Sequence, residues 1–152
     1  MKIAIGCDHG GINLKPTLVK YLEEKGVKVI ESEEDIEKIE ADATVVIRSH
    51  GTTEKICDLI KAKGANIVDA TCPFVKKIHK IVLDNSSEDT VTLIAGDENH
   101  PEVKGIKSCA KGEAFVINSE EKLTELFQQY PDLPQKPIIF VSQTTFSVKE
   151  WE

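Results

Sequence analysis

Short apolar runs alternate with amphipathic helical segments along this 152-residue chain. That alternation restricts the fold more than any other feature, because strands joined through helices run parallel and need helices on both faces. Strands are expected at residues 2–6, 27–30, 44–49, 66–70, 90–96, 114–118 and 137–142. Helices are expected at 13–25, 53–63, 73–83 and 120–130, with a weak acidic helix near 33–39 and a short one at 101–108. Lys25-Gly26 and Lys63-Gly64 read as helix stops, a cation in the last turn followed by a left-handed glycine cap. On the helix at 73–83, Phe74, Ile78, Ile81 and Val82 are expected on one side and Lys76, Lys77 and Lys80 on another. The fold class is α/β, in two small parallel-sheet, three-layer, Rossmann-like lobes. The boundary is placed near Cys72-Pro73, giving lobes 1–72 and 73–152, the second expected to stop short of its closing helix.

Charge narrows the partners. A net charge of -7 gives no electrostatic case for nucleic acid or an anionic membrane. The acid is local, with Glu31, Glu33, Glu34, Asp35, Glu37, Glu40 and Asp42 crowding one connection as a solvated face. No apolar stretch is long enough to cross a bilayer, and Met1-Lys2 leads directly into strand-like residues, so a cytoplasmic location is expected. Cys7, Cys57, Cys72 and Cys109 follow no secreted disulfide spacing and read as reduced thiols or metal ligands.

Parallel α/β sheets bind ligands beyond the carboxyl ends of their strands. Cys7-Asp8-His9, His50, Cys72, Asp97-Glu98-Asn99-His100-Pro101-Glu102 and Gln143-Thr144-Thr145 all follow expected strands. Converging on one cleft, they would bind an anionic small molecule and deliver a proton from histidine or glutamate. Cys72 precedes Pro73, which suits the first position of a helix, and a thiol at the positive end of a helix dipole is favoured as thiolate. The plainer reading is a small residue filling a strand-helix corner. His79 reads as structural or solvated, and Cys57 and Cys109 as packing residues.

Four blocks carry a resemblance. Ile47-Arg48-Ser49-His50-Gly51, Asp69-Ala70-Thr71-Cys72-Pro73-Phe74-Val75-Lys76-Lys77-Ile78-His79, Asn99-His100-Pro101-Glu102-Val103-Lys104-Gly105 and Val141-Ser142-Gln143-Thr144-Thr145 stand in order. Over residues 21–152 the chain closely resembles the 4-hydroxy-3-methylbut-2-enyl diphosphate reductases, iron–sulfur enzymes of the non-mevalonate isoprenoid pathway. The resemblance implies a [4Fe-4S] cluster with Cys72 as a ligand. It implies that His50, His100 and Thr144 contact the diphosphate substrate, and that Glu102, with His100, delivers a proton. It also implies an electron donor such as ferredoxin or flavodoxin. The implied reaction is a two-electron reductive dehydroxylation giving isopentenyl and dimethylallyl diphosphates. The family's third domain and two of its three cluster cysteines are not expected in this chain. Cys7, following strand one, is a further candidate ligand.

Residues 1–30, with Cys7-Asp8-His9-Gly10-Gly11, instead resemble the opening of type B ribose-5-phosphate isomerase, where the Asp-His pair helps to bind and open a sugar phosphate. The expectation is two family pieces joined near 21–30. The competing functions are a sugar-phosphate isomerase and a non-catalytic α/β scaffold.

Overall fold

The computed structural model describes residues 2–4, 13–25, 28–30, 36–37 and 39–146. Cys7, Asp8 and His9 lie outside the described residues, as does most of the expected acidic helix, of which Ile36-Glu37 forms part of a 3-10 turn. The chain divides into two compact units, Met1–Cys72 and Pro73–Glu152.

The first unit runs β1 (Lys2–Ala4), α1 (Lys15–Glu24), β2 (Lys28–Ile30), β3 (Thr44–Ile47), α2 (Glu54–Ala62) and β4 (Asn66–Asp69). β1 pairs with β2 and β3 with β4, both parallel, and β1 also lies beside β3. Val45 and Ile47 alternate inward on β3, the period-two signature of a strand with one covered face. Thr53 caps α2 by accepting from the Ile56 amide at 3.4 Å, and Gly64, at φ 76°, closes the turn after it. Ile60 of α2 is buried with Ile39, Ala43, Val45, Ile47 and Ala65 in this unit's core.

The second unit runs α3 (Pro73–Asn85), β5 (Val91–Ala95), α4 (Pro101–Ser108), β6 (Ala114–Ile117), α5 (Glu120–Gln129), a 3-10 turn (Leu133–Gln135) and β7 (Ile138–Ser142). Its sheet is parallel in the order β6-β5-β7. Every residue of β5 is buried, and its side chains divide between two cores. Ile94 packs with Val82 of α3, Val103 and Ile106 of α4, and Val141 of β7. Val91, Leu93 and Ala95 pack with Ile117 of β6, Leu126 of α5 and Leu133. Two helices therefore cover one face and α5 the other, giving three layers. Chain direction explains this: β5 to β6 moves one way and β6 to β7 the other, so right-handed crossovers place α4 and α5 on opposite faces. Because β6 and β7 leave β5 in opposite directions, the carboxyl ends of β5 and β7 flank a topological switch point.

One expectation is corrected. The inward stripe of α3 is Val75, Ile78 and Val82, whereas Phe74 is 73% exposed and Ile81 39%. Positions 75, 78 and 82 follow the i, i+3, i+7 spacing of one helix face, and Phe74 lies about 100° round from Val75.

Candidate active site

Each unit carries side chains at its own strand ends. In the first, Arg48-Ser49-His50-Gly51 forms a tight turn after β3, closed by the Gly51 amide donating to the Arg48 carbonyl at 3.0 Å. Hydrogen bonding between β3 and β4 continues past the strands themselves. The Ala70 amide donates to the Ile47 carbonyl at 3.0 Å, and the Cys72 amide to the Ser49 carbonyl at 2.8 Å. Asp69 Oδ1 accepts from the Thr71 amide at 2.9 Å, fixing the bend that leads to Cys72. The structure thus brings Cys72 beside Ser49-His50, with Cys72 and His50 both half-buried.

A cluster implied at Cys72 needs several thiolates. Among the described residues, no group of three histidine, cysteine or acidic side chains could hold a metal ion. Cys57 lies on α2, where burial pushes its thiol up from the ordinary range against a smaller opposing pull from Lys61. Cys109 is a core residue whose Sγ donates to the Gly105 carbonyl at 3.4 Å. The described residues offer Cys72 alone and do not by themselves fit the cluster.

In the second unit the site is tighter. His100 is the N-cap of α4 and Pro101 its first residue, a preorganised start that places Glu102 in the first turn. His100 Nδ1 accepts from the Glu102 amide at 3.2 Å. An accepting Nδ1 is unprotonated, so this network assigns the proton of the neutral ring to Nε2. The Glu102 side chain is 0% exposed. Burying a carboxylate is costly unless it is hydrogen-bonded. Here Oε1 accepts from the Thr144 amide at 2.7 Å and Oε2 from the Thr144 hydroxyl at 2.9 Å, while the helix N-terminus adds a favourable dipole. Glu102 and Thr144 therefore bridge the ends of β5 and β7 at the switch point. With a proton on Glu102 the hydroxyl bond can reverse, and Thr144 can pass its own proton onward.

Sequence reasoning placed His100, Glu102 and Thr144 past strand ends, and the structure brings these three together. It missed the roles of Gly96 and Gln143, which pack against each other beside this pair. A polar residue directly after the apolar run of β7 was the available signal.

The LytB protein family model matches residues 10–152. The 4-hydroxy-3-methylbut-2-enyl diphosphate reductase of Caldanaerobacter subterraneus subsp. tengcongensis is 41% identical over 145 residues, covering 94% of this chain and 47% of the relative. The reductase of Campylobacter hominis is 42% identical over 126 residues, covering 83% of this chain and 42% of the relative. The solved E-1-hydroxy-2-methyl-but-2-enyl-4-diphosphate reductase of Plasmodium falciparum has a TM-score of 0.77 at 26% identity, covering 99% of this chain and 44% of that one. The chain spans about half the length of the curated relatives it matches. The family match begins at residue 10, so the reductase likeness takes in most of residues 1–30, which were expected to belong to an isomerase-like piece. Matched over nearly all its residues, the chain belongs to the LytB protein family.

Proposed function

We propose that this chain is the part of a 4-hydroxy-3-methylbut-2-enyl diphosphate reductase that binds the substrate's diphosphate and delivers a proton to its hydroxyl. The observation that carries this reading is the fully buried Glu102 carboxylate, held by the amide and hydroxyl of Thr144 at a switch point. A buried acid joined to the hydroxyl of the exposed Thr144 is suited to passing a proton outward. The overall change would take two electrons and two protons, break the carbon–oxygen bond and release water. His100, with its proton on Nε2, serves as a donor to an anionic oxygen, and the family resemblance assigns His50 a contact to the diphosphate. Cys72 is assigned as one cluster ligand, and Cys7, outside the described residues, is the second candidate. Ferredoxin or flavodoxin is the electron donor class that this reading requires.

Calorimetric titration with the substrate tests the binding role. His50→Ala and His100→Asn, the latter keeping a helix cap, are expected to weaken binding by about tenfold or more. Glu102→Gln should keep binding within about threefold while slowing turnover by about 10²–10⁴-fold. Unchanged affinity in both histidine variants overturns the reading.

A non-catalytic scaffold is the competing reading. Anaerobic reconstitution with iron and sulfide separates the two. The reductase reading expects iron in the parent chain and a loss in Cys72→Ser; equal iron in both removes Cys72 from any metal role.

A further inference from the structure

A second link, independent of Glu102, ties the loop after β5 to the loop after β7. Gln143 is 8% exposed, and its amide donates to the Ala95 carbonyl at 2.8 Å. Its side-chain Oε1 accepts from the Asp97 amide at 3.2 Å, and Nε2 donates to the Thr145 hydroxyl at 2.7 Å. The Asp97 amide can only donate, so the side-chain oxygen must face it. The nitrogen then faces Thr145, whose hydroxyl oxygen accepts.

Gly96 makes room for this arrangement. A Cβ there would lie 2.8 Å from Val103 Cγ2, 2.9 Å from Gln143 Oε1 and 3.1 Å from Gln143 Cβ. Val103 is fully buried and directly follows Glu102, so it has little room to yield. Asp97 in turn accepts from two amides of its own loop, Asn99 at Oδ1 and His100 at the carbonyl, both at 2.9 Å. One side-chain amide therefore reaches the segment that carries His100 and Glu102 and the segment that carries Thr144 and Thr145.

We propose that Gln143, seated against Gly96, is a positioning residue that holds these two loops in register, so that the Thr144 amide and hydroxyl meet the Glu102 carboxylate. Gln143 acts through Asp97 and Thr145 and does not touch the reacting atoms. The proposal rests on the reading of Glu102 and Thr144 as the proton relay, and it adds the group that keeps that relay assembled.

Amide hydrogen exchange on the ¹⁵N-labelled chain tests it without any ligand. Gln143→Met keeps the volume but removes both side-chain hydrogen bonds. Exchange at Thr144 and Asp97 should rise by about tenfold relative to Ile94 and Val82, which report the unit's stability. In Gln143→Glu one carboxylate can accept from both the Asp97 amide and the Thr145 hydroxyl, so protection should return. Gly96→Ala should reproduce the Gln143→Met pattern by displacing the amide. The proposal is overturned if Thr144 stays within about twofold of Ile94 in Gln143→Met, or if Gln143→Glu fails to restore it. Failure of the relay reading shows elsewhere, as normal turnover in Glu102→Gln, and leaves the exchange result to decide the role of Gln143.

Discussion

β4 and β5 are both short parallel strands, yet Val68 of β4 is 50% exposed while every residue of β5 is buried. Position in the sheet explains the difference. β5 has a hydrogen-bonded neighbour on each side and helices above and below, whereas β4 pairs with β3 alone among the described residues. A strand covered on both faces reads as a continuous apolar run, as in Val91-Thr92-Leu93-Ile94-Ala95, while Asn66-Ile67-Val68-Asp69 keeps polar ends. The comparison shows where each unit keeps its stability. The second holds its acid site on a strand packed from both sides, and the first presents Cys72 just beyond a strand open to solvent.

The largest expected effect tests that contrast directly. Ile94→Ala should destabilise the second unit by about 3–5 kcal/mol, because a fully buried branched side chain leaves a cavity between two helices and the sheet. Val68→Ala on β4 should change stability by no more than about 0.5–1 kcal/mol. Denaturant unfolding followed by circular dichroism measures both, and equal losses would break the comparison. Next comes Glu102→Leu, which leaves the Thr144 amide and hydroxyl without their acceptor. A cost of about 1–2 kcal/mol is expected by the same assay, and a neutral result would mean that Thr144 finds another partner.

Thiol labelling sharpens the contrast further. Burial pushes the Cys57 thiol up, so at neutral pH it holds less thiolate than the unfolded chain and should alkylate more slowly. Because the folded form keeps this proton to higher pH, the associated stability is full at neutral pH. It is lost as pH rises through the raised value. Cys109, in the core of the second unit, should stay unlabelled until that unit unfolds. Mass spectrometry after iodoacetamide treatment across alkaline pH checks the order, and Cys109 labelling ahead of Cys57 would contradict it. The smallest effect has the opposite sign. Thr92 Oγ1 is buried without a hydrogen-bond partner, so Thr92→Val should stabilise the chain by about 0.5–1 kcal/mol, read as a raised denaturant midpoint.

Much of this architecture was legible in the chain. Apolar runs of the right length, Lys63-Gly64 as a helix stop and Pro101 as a helix start are local signals, and each element they announced is present within a few residues. The site was legible only in part. Glu102 was singled out by its place past a strand end, but its hydrogen bonds are made by Thr144, 42 positions away, which no local pattern announces. The Gln143 link likewise joins residues 46 positions apart, and its fit depends on a missing side chain at Gly96. Phe74 misled because hydrophobicity alone does not say which of two neighbouring faces of α3 is turned inward.

The strand order has a consequence for how this protein comes into being. Glu102 leaves the ribosome 42 residues before Thr144, an interval of roughly 2–8 s at ordinary elongation rates. Through that interval the nascent chain has its acid but neither the hydroxyl that receives it nor the strand that seals one edge of β5. The Glu102–Thr144 pair is therefore assembled only once β7 has been made, and a chain released before β7 would carry the acid without its partner.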